Sequence, residues 1–185
     1  MLFRSNTITL PANTGTVITT GSSAVVSQAM LASGVASNGP TASAALTSGT
    51  VTITSSTWTK MALDYENWDT ASCYNNTGST VGSIPSYSFL PSVAGYYMVN
   101  ASVDSGASTN AGQVVAGIFK NGSAWRYGNN VAVSGGSAYG STVTGLVYLN
   151  GSTDYVSPYC YIGATTAKIA SSYGTYFDVV LVRAA

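Results

Sequence analysis

Gln113-Val114-Val115-Ala116-Gly117-Ile118-Phe119-Lys120 runs straight into Asn121-Gly122, and this join decides the fold class. β-Branched and aromatic side chains dominate the first part and favour an extended chain. Asn followed by Gly tolerates the positive φ of a tight hairpin turn. The same grammar recurs where Thr142 to Leu149 meets Asn150-Gly151. Both joins predict a reversal of chain direction.

Working outward, Thr57 to Leu63, Tyr96 to Val103, Asp154 to Ile162 and Thr175 to Val182 read as further strands, with Val51 to Thr54 and Val131 to Val133 as weaker ones. Each is rich in Val, Ile, Thr or Tyr and bounded by Gly, Asn or Ser. Helical periodicity is nearly absent. About eight short strands with short links exceed what one open sheet handles well, so two packed sheets are expected. The expected class is all-β, a sandwich or jelly roll spanning residues 50–185.

Residues 1–49 have a different texture. Thr7 to Leu10 and Thr16 to Thr20 can be extended, but Ala24 to Leu46 is Ala-, Ser- and Gly-rich and cannot build a core of its own. It reads as an attachment or assembly arm that orders by docking on another copy or another protein, with a flexible leader as the alternative. No heptad and no Gly-X-Y repeat supports a stalk. Removing residues 1–49 is expected to spare the folded assembly.

Composition narrows the function classes. The chain has six basic residues, six acidic residues, zero formal net charge and no histidine. Without dense positive charge, nucleic acid is not an expected partner. Without histidine, Ser-His-Asp and Cys-His catalysis cannot be built, and zinc sites lose their commonest ligand. Gly135-Gly136 falls in a loop between strands, so no phosphate-binding loop opens a helix. The N-terminus shows no basic stretch followed by an apolar run of about seven residues, and no window approaches the roughly 18 apolar residues of a membrane span. Neither export nor membrane insertion is expected. A non-enzymatic structural or binding module remains.

Three groups of residues are candidates for chemistry. Asp64, Glu66 and Asp69 lie just after a candidate strand. They read as a solvated strand-end cluster or as weak ligands for calcium, which needs several converging oxygens. No other cofactor is expected, and Asp64 or Glu66 with Asp154 is the one carboxylate pair that a glycoside hydrolase could use. Tyr96, Tyr97, Tyr159, Tyr161, Tyr176 and Phe177 can be core, subunit interface or a sugar-stacking platform. Period-2 alternation turns one member of each adjacent pair inward and the other outward, and the outward half suits burial between subunits. Trp125-Arg126-Tyr127 follows the Asn121-Gly122 turn and either contacts a partner or closes the end of the barrel. Cys73 and Cys160 read as free buried thiols rather than a disulfide.

Four segments in order carry a family resemblance: Phe89-Leu90-Pro91-Ser92-Val93-Ala94-Gly95-Tyr96-Tyr97-Met98-Val99, Ile118-Phe119-Lys120-Asn121-Gly122, Gly145-Leu146-Val147-Tyr148-Leu149-Asn150-Gly151 with Asp154-Tyr155-Val156, and Thr175-Tyr176-Phe177-Asp178-Val179-Val180-Leu181. Together they resemble the C1q-like domain family over most of residues 51–185. The resemblance implies a ten-stranded jelly roll of C1q/TNF type, a compact homotrimer and binding rather than catalysis. The Val-Ala-Gly-Tyr-Tyr segment, Lys-Asn-Gly turn and Thr-Asp-Tyr-Val strand are similar to C1q-like domains of tailed-bacteriophage structural proteins. That likeness implies a virion protein assembled in the host cytoplasm. Its arm would fix it to another virion protein, and its head would serve as a capsid decoration, short fibre or receptor-contacting tip, meeting a host-surface glycan or protein. The alternative is a soluble carbohydrate- or protein-binding module using the outward tyrosines and Trp125.

Overall fold

The computed structural model describes residues 39–185, apart from residues 48, 107, 109, 111, 133–138, 171 and 172. The extended segments expected at residues 7–20, and most of the arm, lie outside the described residues. No helix occurs among them.

Among the described residues fourteen strands follow in chain order. The first seven are β1 (Thr41–Ala45), β2 (Thr50–Thr52), β3 (Thr59–Lys60), β4 (Tyr65–Asp69), β5 (Tyr74–Asn75), β6 (Ser88–Phe89) and β7 (Gly95–Asp104). The rest are β8 (Gln113–Lys120), β9 (Ser123–Tyr127), β10 (Val131–Ala132), β11 (Gly140–Leu149), β12 (Val156–Gly163), β13 (Lys168–Ala170) and β14 (Tyr176–Ala184). The count exceeds the expected ten because β3, β5, β6 and β10 are two-residue pieces.

The strands form two large sheets. One has five strands in the order β11-β7-β14-β1-β4, and the other runs β10-β8-β12-β6-β5, with β9 also on β8 and β3 also on β12. A small ribbon pairs β13 with β2. The inner faces meet in one core. Tyr97, Val99, Ala101 and Val103 of β7, with Phe177, Val179 and Leu181 of β14, pack with Val114, Ala116, Ile118, Val156, Cys160 and Ile162 of the second sheet.

Alternation is clear where one face is open and absent where both are covered. Along β11 every second residue is buried, the signature of a half-exposed strand. β8 is buried at Val114 through Phe119 because aromatic side chains roof its outer face. Trp58 lies across Gly117, 2.7 Å from where a Cβ would stand, and stacks on Tyr127 with centroids 4.6 Å apart. That roof explains why Val-Val-Ala-Gly-Ile-Phe reads as a continuous apolar run.

Both Asn-Gly joins turn the chain, in different ways. Asn121 (φ 52°) and Gly122 (φ 77°) make the two-residue hairpin between β8 and β9. At Asn150-Gly151 the chain leaves the five-stranded sheet and enters the other one. The Asn150 side chain organises this crossing: its Oδ1 accepts the N–H groups of Ser152, Thr153 and Asp154 at 2.9 to 3.0 Å.

Two boundaries move. The strand expected at Thr57 to Leu63 shrinks to Thr59–Lys60. Met61 and Leu63 are core residues, but Met61 N–H bonds Pro158 C=O and Leu63 N–H turns back to Met61 C=O. The other correction concerns the arm. β1, inside the span read as arm, lies between β14 and β4 and places Ala42 and Ala44 in the core. Small side chains, which argued against a core of its own, suit a central strand packed beneath larger neighbours. Deleting residues 1–49 would therefore remove a central strand; a cut that leaves the described sheet whole ends at residue 38.

Candidate interaction surface

Among the described residues nothing covers the outer face of the five-stranded sheet, which divides into two ends. Register sets the division. Leu146 pairs Met98 and Tyr148 pairs Tyr96, while Met98 pairs Val180 on its other side. With Val182 beside the bulge in β14, these six side chains are 38 to 48% exposed. Tyr96 and Tyr148 meet at 5.5 Å with rings inclined by 60°. One row further along the face turns polar: Thr144 Oγ1 donates to Asn100 Oδ1 (2.9 Å), and Asn100 Nδ2 reaches the Tyr176 hydroxyl (3.4 Å).

The six aromatic residues singled out in the sequence do not share one surface. Tyr97 and Phe177 are core, with 0% and 1% exposure. Tyr96 stands on the apolar end of the open face and Tyr176 on its polar end. Tyr159 and Tyr161 belong to the other sheet's roof: Tyr159 stacks on Phe119 at 3.9 Å, and Tyr161 meets Trp58 at 5.8 Å. Sequence reasoning missed Met98, Leu146, Tyr148, Val180 and Val182. The available signal was that the outward register of β11 and β14 is itself apolar at one end.

Trp125, Arg126 and Tyr127 lie on β9, all exposed. They point to separate places. Lys120 Nζ sits over the rings of Trp125 (6.0 Å) and Tyr148 (5.9 Å). The Arg126 stem passes 3.0 Å from the Cβ position of Gly145, across the open side of the sandwich. Tyr127 completes the roof by stacking on Trp58.

The carboxylates have backbone work. Glu66 and Asp69 lie within edge strand β4 rather than after a strand. Asp64 accepts Thr47 N–H (2.8 Å), and Asp69 accepts the N–H groups of Ala71 (3.2 Å) and Tyr74 (2.7 Å). Burial, helped by the nearby Asp69 charge, raises the Glu66 carboxyl above its ordinary range. Among the described residues no three acidic or cysteine side chains gather closely enough to hold a metal ion.

Asp154, the other half of the conceivable catalytic pair, belongs to a loop clasp. It pairs with Lys120 at 2.9 Å and accepts from Asn121 Nδ2 at 2.7 Å. Asn121 also accepts Tyr155 N–H at 2.9 Å, so the hairpin and the inter-sheet crossing are tied together. Cys73 and Cys160 are free and buried.

Two sheets in this order, closed over one apolar core, invite comparison with known jelly rolls. The globular domain of zebrafish complement 1qA protein superposes with a TM-score of 0.58 at 12% identity, covering 80% of this chain and 99% of that one. Eiger TNF from S. frugiperda gives 0.59 at 11% identity, covering 80% and 95%. Murine APRIL gives 0.54 at 11% identity, covering 77% and 98%. The fold is that of C1q/TNF jelly rolls. No protein-family profile matches the sequence, and no curated protein sequence matches it. At these identities the C1q/TNF likeness concerns the fold.

Proposed function

We propose that this chain is a non-enzymatic display module that associates with itself through the apolar end of its five-stranded sheet. The observation that carries this reading is the contiguous set Tyr96, Met98, Leu146, Tyr148, Val180 and Val182, which no other described residue covers. A soluble protein rarely exposes so many adjacent large apolar side chains unless they are an interface. The low charge of the chain, with only six basic and six acidic residues, gives little electrostatic resistance to association. Three copies are the assembly that the C1q-like resemblance of the sequence implies.

The phage-type motifs, from Val93-Ala94-Gly95-Tyr96-Tyr97 to Thr153-Asp154-Tyr155-Val156, support a virion role. In that reading the trimer is assembled in the host cytoplasm and held on the particle by the segment before β1. The C1q-like head is then presented as a decoration, short fibre or receptor-contacting tip. The missing histidine supports the non-enzymatic part.

The test is mass in solution. The parent protein is expected to run at three times its 18.8 kDa chain mass in light scattering at micromolar concentration. The double variant Leu146→Glu, Val180→Glu places charge in the centre of the patch and is expected to be a folded monomer. A monomeric parent, or an unchanged oligomer in the folded variant, would overturn the interface. Antibody labelling of particles in the electron microscope tests the virion address separately.

A further inference from the structure

The polar end of the same sheet face opens into a groove of about 700 Å³. Its shape follows from side-chain size across three strands. Along the groove, interior strand β1 offers only Ser43 and Ala45, whereas β4 supplies Trp68 and Tyr65 as their registered neighbours. On the other side β14 supplies Asp178 opposite Ser43 and Tyr176 opposite Ala45. A trough of small residues thus runs between aromatic walls.

The walls and floor present complementary chemistry. Tyr65 and Trp68 are each 52% exposed, and Trp68 Nε1 donates to Thr41 Oγ1 (3.3 Å), which steadies the indole. Asn67 Nδ2 donates to Ser43 Oγ (3.0 Å), which leaves the Asn67 carbonyl oxygen as an acceptor without a partner among the described residues. The Tyr176 hydroxyl receives the Asn100 amide and keeps its own proton to donate. Asp178 is half-buried on the floor, without a hydrogen bond or ion pair among the described residues, and no basic residue lines the groove.

We infer that this groove binds a short neutral oligosaccharide, stacked on Trp68 and Tyr65 and held through its hydroxyls by Asp178, Asn67 and Tyr176. Aromatic faces suit the C–H face of a pyranose ring, and a few convergent polar groups fix its orientation. The free carboxylate accepts two hydroxyl protons at once. With no basic residue among those lining the groove, it also repels carboxylated or sulfated sugars, which sets the ligand class. A simple organic cation would use the carboxylate and the rings but leave the amide and hydroxyl stations idle. The site is distinct from the apolar patch; it rests on the display reading and names what the polar end of that sheet face holds beside the self-association surface.

The experiment is a glycan array carrying neutral and acidic oligosaccharides, probed with the full chain, followed by titration of the best neutral hit against Trp68→Ala, Asp178→Asn and Trp125→Ala. Choline is titrated in parallel. The expected result is binding confined to neutral glycans, weakened about tenfold by Trp68→Ala, weakened similarly by Asp178→Asn, and unchanged by Trp125→Ala. Each variant is expected to keep the parent's melting temperature and oligomeric mass. An array without neutral hits, preference for acidic glycans or choline, or loss of the oligomer in Trp68→Ala would overturn the inference; the last result would assign the groove to a second copy. The oligomeric mass of the parent is read independently, so failure here and failure of the display reading are distinguishable.

Discussion

Replacing Ser141 with alanine tests how the two sheets are joined. Strand β8 is paired along one edge by β9 up to Gly117 and by β10 from Val114, so the ladder has a gap at Val115 and Ala116. The Ser141 hydroxyl, reaching across from β11, fills it. It accepts Ala116 N–H (2.9 Å) and donates to Asn129 C=O (2.8 Å), while Gly128 N–H bonds Ala116 C=O (2.9 Å). Ser141 and Ala116 are 1% and 0% exposed. Deleting the oxygen loses one bond of about 1 kcal/mol net and strands a buried N–H at about 1–3 kcal/mol. The expected loss is therefore about 2–4 kcal/mol, or roughly 6–12 °C in melting temperature for a domain of this size.

Urea unfolding followed by tryptophan fluorescence, at one fixed protein concentration because association adds to apparent stability, measures this loss. Thr144→Ala, on the same strand but on the open face, serves as the control and is expected to stay within about 0.5 kcal/mol. If Ser141→Ala were as stable as the control, the hydroxyl would not be the bridge that the geometry describes.

Two further outcomes are expected. Asp154→Asn removes the ion pair to Lys120 and is expected to cost about 1 kcal/mol at neutral pH. Burial alone would raise the Asp154 carboxyl, but hydrogen bonds from Asn121 and Lys120, the Lys120 charge and Asn150 N–H outweigh it and hold the group below its ordinary range. Its contribution is thus present above the unfolded carboxylate pKa of about 4 and lost as pH falls through the lower folded value. Parent and variant melting temperatures should converge in acid; a gap that persists there would refute the assignment. Burial pushes the Cys160 thiol up to about 12, so it stays protonated at pH 8 and should react with a thiol reagent only as fast as the domain unfolds. Rapid labelling of Cys160 in the native protein would contradict its burial.

How much of this was legible in the sequence depends on where the information resides. Strand β8 coincides with the stretch Gln113 to Lys120, and its turn at Asn121-Gly122 forms as expected, because both depend on local backbone preference. β4 carries no local signal of its own, because Tyr-Glu-Asn-Trp-Asp is an exposed edge strand with no apolar alternation to read. β1 carries none either, because Ala42 and Ala44 acquire value as core residues only once the larger side chains of the opposite sheet lie above them. The apolar patch was half visible through Tyr96. Its other members sit on strands distant in sequence, joined by registers that no local pattern encodes. The acidic residues read as a solvated cluster or as weak calcium ligands because their spacing was known and their backbone partners were not.

The placement of β1 has a mechanical consequence. The chain enters the described domain at Gly39 and Pro40 and passes at once into a strand flanked on both sides, by β14 and by β4. Tension arriving from the preceding residues is therefore carried by two hydrogen-bonded ladders rather than by an edge strand that can peel away singly. Antiparallel pairing also sets Thr41 beside Val180 near the chain's other end, so pulling the two ends apart would open the β1–β14 ladder one pair at a time. Load applied through the leading segment alone would avoid that weak geometry.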